Sequence, residues 1–220
     1  MKTVRLAGIA LTAAAALSLA ACGSDSSGKS GSNSSTAMAP SSPMSSSATM
    51  SNGVTTNADV FGPACGQLPQ GNAPGSLDSM GPEPVASAAS TNPLLTKLVA
   101  AVKATNLVDT LNSQQAITVF APADTAFAKL GDTKFNELAQ NPSQLAPILQ
   151  YHVVPRRYDA KGLQAAGTVP TLNTDGGLIK VEVTGDTMTV NGAKVLCGNV
   201  PTKNATVFVI DTVLTPGSNK

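Results

Sequence analysis

The sequence predicts an α+β domain, on three observations. Ile117 to Leu130, ITVFAPADTAFAKL, reads as a strand, a sharp turn and the start of a helix. Upstream of it, Leu94, Leu98 and Val102, with Leu95 and Val99 beside them, recur every fourth residue and make a broad apolar helical stripe. After His152 the period changes, and Ile179, Val181 and Val183 alternate with Lys180 and Glu182 as in a half-buried strand. Helices that come first and a strand-rich half that follows define the class.

Each element has a local cause. Ile117, Val119 and Phe120 are β-formers, apolar on both faces, so their strand is expected to be buried. Pro122 has no N–H to donate, so pairing should stop there. Asp124 suits the N-cap of the next helix, its carboxylate accepting an amide of the first turn, and Phe127 and Leu130 share a face of that helix. Asn92 as N-cap and Pro93 at the first position start the upstream helix, whose stripe runs to about Ala104. Leu107, Val108 and Leu111 add a turn. Short helices are predicted around Phe135 to Ala139 and Pro142 to Gln150, where Leu145, Ile148 and Leu149 share a face. Gly185-Asp186 and Asn191-Gly192 are hairpin turns, the second of type I′. Met188, Val190, Val195 and Cys197 continue the inner face. Asn204 to Pro216, NATVFVIDTVLTP, is a second buried strand that closes the domain.

Three stretches in this order, the Ile117 strand and turn, Leu149-Gln-Tyr-His-Val-Val-Pro155 and the Asn204 strand, resemble the first box, the Tyr-His motif and the second box of the fasciclin (FAS1) domain. The resemblance runs from about Val85 to Pro216. It is nearest to the single-domain fasciclin lipoproteins of mycobacteria and their relatives, which include cell-surface antigens. It implies a strand sandwich or wedge with packed helices, and a role at the cell surface.

The N-terminus is read as three parts. Residues 1–21 are a lipoprotein signal peptide, with Lys2 and Arg5 in a charged start and an apolar run from Leu6 to Leu19. Leu19-Ala20-Ala21-Cys22 resembles a bacterial lipobox, so Cys22 is the expected lipidation site. Two or more acyl chains would hold the chain stably on the outer face of the cytoplasmic membrane or in an outer envelope layer. Residues 22–57, rich in Ser, Thr, Gly, Ala, Asn and Pro, are expected to form a flexible tether, because such a composition buries too little surface to offset its ordering entropy. About 35 residues of this kind span about 30–35 Å on average. Related lipoproteins carry O-linked sugars on such tethers, which makes Thr36, Thr49, Thr55 and Thr56 candidates. The domain proper is expected over 58–220. Once Cys22 is lipidated, Cys65 and Cys197 remain, and an even pair in an exported protein reads as a disulfide, with two free thiols as the alternative.

Composition narrows the chemistry. Charged residues make up 12 % and the formal net charge is +1. Without the first 21 residues, 12 basic face 13 acidic residues, so nothing favours nucleic acid. With 3 % aromatic residues and no Trp there is no evident stacking platform for bases or sugars. No CxxC, HExxH, EF-hand loop, GxGxxG or P-loop pattern occurs, so neither a metal nor a nucleotide cofactor is expected. The single His, His152, lacks a GxSxG partner, which leaves a hydrolase as a weak alternative. By resemblance, Tyr151-His152 with its apolar flanks Leu149, Val153 and Val154 is a candidate adhesion motif. The competing reading makes His152 a buried imidazole, with Asp211 as candidate partner, and Tyr151 a packed ring. Asn204-Ala-Thr206 matches an N-glycosylation sequon, which we treat as coincidence.

These readings converge on a non-catalytic, lipid-anchored surface protein for adhesion or recognition. Its expected partners are cell-surface or matrix proteins or glycans, the membrane through the lipid on Cys22, and innate lipopeptide receptors through the same lipid. A different class stays open: an envelope protein that holds a small apolar molecule between sheet and helices. An apolar pocket would favour it, and an exposed Tyr151 would favour adhesion.

Overall fold

The structure, a computed structural model, describes residues 52–217. The predicted signal peptide, Cys22, Thr36, Thr49 and the tether up to residue 51 lie outside the described residues. The chain runs through helices α1 (Leu77–Met80), α2 (Val85–Thr91), α3 (Thr96–Ala104) and α4 (Val108–Ser113) into strand β1 (Ile117–Pro122). Helices α5 (Asp124–Leu130), α6 (Asp132–Gln140) and α7 (Pro142–Tyr151) lead to β2 (Val153–Val154), α8 (Ala160–Ala166) and β3 (Thr168–Val169). Strands β4 (Ile179–Thr184), β5 (Thr187–Val190), β6 (Ala193–Pro201) and β7 (Ala205–Ile210) complete the domain.

The strands form one mixed sheet in the order β2-β1-β7-β6-β5-β4-β3. The two buried strands foreseen in the sequence are its central neighbours. They pair in parallel, from Ile117 opposite Ala205 to Pro122 opposite Ile210, while the other neighbours are antiparallel. Every residue of both is buried. The period of two explains why. Val119, Val207 and Val209 face a cluster with Leu98, Val102 and Leu149 from the helices. Phe120, Phe208 and Ile210 face a second cluster with Val181, Met188 and Val190 of the hairpin strands. The sheet therefore curls back over one face of its own centre and carries helices on the other. Phe120 and Phe61 both lean on Phe208, at 5.9 and 6.5 Å between ring centres.

Several local expectations change. Asp124 is the first residue of α5 but does not cap it. Its carboxylate accepts from the Lys97 N–H at 2.8 Å and the Thr96 hydroxyl at 2.5 Å, so it caps α3. The α5 N-cap is Ala123, whose side chain has nothing to offer. Asn92 does not cap α3, which begins at Thr96. Its Oδ1 takes the Leu94 N–H at 2.9 Å in a turn ahead of the helix, because Pro93 separates the two segments. Helix α8 falls where strands were expected, and Asp159 caps it by accepting the Gly162 N–H at 2.7 Å. At the β5–β6 hairpin Asn191 and Gly192 both have positive φ, 48° and 79°, as a type I′ turn requires.

The boundary after residue 57 also moves. Gly53 and Thr55 are buried, and the Gly53 carbonyl accepts the Thr206 hydroxyl at 2.7 Å. Gly53 has φ +70°, and a Cβ there would stand 2.4 Å from the Arg157 carbonyl carbon, so only glycine allows this approach. The described residues all fall in one compact unit. It contains the whole sheet and both clusters, a complete core of its own.

Candidate functional site

The Tyr-His motif sits where α7 ends and the chain enters β2. Tyr151 is 0 % and His152 2 % exposed. An adhesive surface made by these two side chains is therefore ruled out in the folded domain: apolar neighbours on both faces of the sheet hold them inside. The Tyr151 hydroxyl accepts from Asn191 Nδ2 at 2.9 Å. Its ring lies on Gly176, where any Cβ would stand 2.6 Å from Cδ2. His152 Nδ1 is 2.8 Å from the Ile148 carbonyl, and Nε2 accepts the Leu214 N–H at 3.0 Å. That pair of partners puts the proton on Nδ1. Burial pulls its pKa down to about 4, against the opposing pull of the Ile148 carbonyl, so the ring is neutral at pH 7.

Asp211 is not the partner of His152. It follows the end of β7 and turns to the surface, where it accepts from Lys129 Nζ and the Lys194 N–H, each at 2.8 Å. Burial alone would raise its pKa, but these bonds and that from Thr212 hold it below the ordinary carboxylate value. With both ring nitrogens of His152 bound to main-chain groups, no hydroxyl is activated there. Among the described residues no group of His, Cys, Asp and Glu is placed to hold a metal ion.

Cys65 and Cys197 are bonded to each other and tie the segment ahead of α1 to β6. The sequon asparagine is part of the frame. Asn204 Nδ2 donates to the carbonyls of Leu111 and Gln114, each at 2.8 Å, and Oδ1 accepts the Val85 N–H at 2.8 Å. Thr56, a glycosylation candidate, is exposed, whereas Thr55 is buried at 6 %.

A feature with room for a ligand lies elsewhere in the described residues. A cavity of about 220 Å³ lies between the helical layer of α2, α3 and α4 and the face of β1 and β7 that carries Val119, Val207 and Val209. Its walls are chiefly Val, Leu and Ala side chains. The lining residues that are exposed are Ser90, Lys103 and Thr110, one on each of the three helices, and they mark its mouth. Protein interiors close up to crystal-like density, so an unfilled space of this size between apolar walls departs from ordinary core packing. The cause is legible in α2, VASAAST: Ala86, Ser87, Ala89 and Ser90 line the cavity with side chains too short to reach the sheet. The sequence reading missed this helix because its apolar residues are small and show no stripe.

A fold of helices packed on one face of a curled mixed sheet, with the two buried strands adjacent and parallel, places the chain in a structural class, and comparison settles the family. The model of the fasciclin domain matches residues 93–216, and the chain belongs to the fasciclin domain family. It is 44 % identical over 165 residues to the immunogenic protein MPB70 of Mycobacterium bovis, covering 72 % of this chain and 83 % of that one. It is 42 % identical over 166 residues to the cell surface glycolipoprotein MPB83 of the same species, covering 72 % and 73 %. Among solved structures, a FAS1 domain pair from the insect cell adhesion molecule fasciclin I matches with a TM-score of 0.48 and 22 % identity, over 56 % of this chain and 45 % of that one.

Proposed function

We propose that this chain is a lipid-anchored protein of the outer cell surface, and that its fasciclin domain recognises partners there, adhesion included, without catalysis. The observation that carries this is the likeness to a cell surface glycolipoprotein over 72 % of the chain, joined to the lipobox-like Leu19-Ala20-Ala21-Cys22 near the N-terminus. The partners are proteins or glycans of another cell or a matrix. The lipid on Cys22 contacts the membrane and gives lipopeptide-sensing receptors something to bind. Burial of Tyr151 and His152 moves the recognition surface to other, exposed residues. The engagement of both His152 nitrogens argues against a hydrolase.

Binding of Ser47–Lys220 to mammalian cells and to immobilised matrix proteins tests the first part. Saturable binding supports adhesion, and none on any surface overturns it. Cys22→Ser tests the anchor: the wild-type protein should carry the added mass of its acyl chains and the variant should lack it, and a wild-type mass without acyl chains would overturn it.

A second reading is favoured by one observation, the apolar cavity. On it, the same domain holds a small apolar molecule between sheet and helices. Methyl signals of the cavity Val and Leu residues should shift when such a molecule is added.

A further inference from the structure

We infer that the cavity takes the tail of a single-chain aliphatic carboxylate of about eight to ten carbons, with its head group at Lys103. This rests on the second reading above and adds the ligand's chemical class.

Polarity excludes most alternatives. The deep polar side chains of the wall are already satisfied. His152 uses both ring nitrogens on main chain. The Thr202 hydroxyl donates to the Ala205 carbonyl at 2.9 Å, and Asn92 Oδ1 takes the Leu94 N–H. A sugar, a peptide or a nucleotide would bury donors and acceptors against walls that return no hydrogen bond, which is prohibitive. The part of the ligand inside must therefore be hydrocarbon.

Volume sets its size. At about 30 Å³ for a water-sized group, the cavity holds about seven groups of methylene size, and with the carboxylate carbon and up to two further groups at the mouth this makes about eight to ten carbons. A single flexible chain can follow a space bounded by helices on one side and the sheet on the other.

Charge sets the head. Lys103 is the only charged residue of the lining, since His152 is neutral at pH 7. It stands in the last turn of α3, exposed, at the mouth. It takes part in none of the ion pairs among the described residues, which join Lys97 to Asp132, Lys129 to Asp211 and Lys180 to Glu182. A carboxylate at the end of a buried chain would be met by a free ammonium.

The test is calorimetric titration of Ser47–Lys220 with saturated fatty acids from butanoate to tetradecanoate, and with decanol. Affinity should rise about fourfold per added methylene and level off at eight to ten carbons. Val99→Phe fills the cavity from a half-buried wall position and should weaken decanoate at least tenfold. Leu107→Phe does the same from a second half-buried wall position and serves if the first variant is unfolded by circular dichroism. Lys103→Gln should weaken decanoate about threefold, as for an exposed ion pair, and leave decanol unchanged. Decanol binding as tightly as decanoate, with Lys103→Gln silent, would overturn the carboxylate class and leave the apolar-ligand reading standing. Absence of binding by every probe, or full affinity in both Phe variants, would overturn both.

Discussion

His152 couples the fold to pH. Its folded pKa, about 4, lies below the unfolded value of 6.5. Between these values the unfolded chain holds the proton and the folded chain does not, so acid favours unfolding. Stability should fall as pH drops through 6.5 towards 4, by about 3 kcal/mol in all. Urea midpoints of the wild type should decline over that window, and those of His152→Gln should be flat over pH 7 to 5. A flat wild-type profile would sink this account. Because Asp211 is paired with Lys129 and Lys194, Asp211→Ala should leave the His152 titration in place. Gly176 is a second single-residue constraint, set by the Tyr151 ring against it. Gly176→Ala pushes a Cβ to 2.6 Å from that ring and 3.2 Å from Pro216, and should cost about 1–3 kcal/mol in thermal or urea unfolding.

At the scale of elements, the turn after β1 holds two helices at once. The main chain of Asp124 begins α5, and its carboxylate closes the N-terminus of α3. Asp124→Ala should cost about 1–2 kcal/mol, read by thermal melting, and Asp124→Asn should recover part of it, since an amide oxygen still accepts. A larger consequence concerns the cavity, because α3 forms one of its walls. The methyl signals of Val99 and Val102 should move in Asp124→Ala, although both lie far from it in sequence. The spacing in ITVFAPAD identified the strand and the helix correctly. It assigned the cap to the wrong helix, since an N-cap pattern shows which side chain can accept and not which amides tertiary packing brings to it.

At the scale of the molecule, the disulfide joins the chain ahead of the first helix to β6 across a sequence separation of 132. A loop that long restricts the unfolded chain strongly, so Cys65→Ser with Cys197→Ser should cost about 2–5 kcal/mol. Reduction of the wild type should lower its melting temperature to that of the double variant. A melting temperature indifferent to reduction would show that the sheet and its clusters suffice alone.

The fold class, the two central strands, the cysteine pair and the family were all legible in the chain. Each is written in local chemistry: hydrophobic period, turn residues and ordered motifs. Burial of Tyr151 and His152 was legible only as one of two readings, because LQYHVVP is apolar enough to pack and polar enough to bind. A ligand between sheet and helices stayed open as an alternative, but the residues that leave the cavity could not be read. It arises where short side chains on α2 meet a sheet face built from strands that lie beyond two further helices in the chain, and a gap between two surfaces belongs to neither sequence segment. The parallel pairing of β1 with β7, the capping of α3 by Asp124 and the diversion of Asp211 to Lys129 are of the same kind. Each depends on which distant groups the folded chain brings within hydrogen-bond reach.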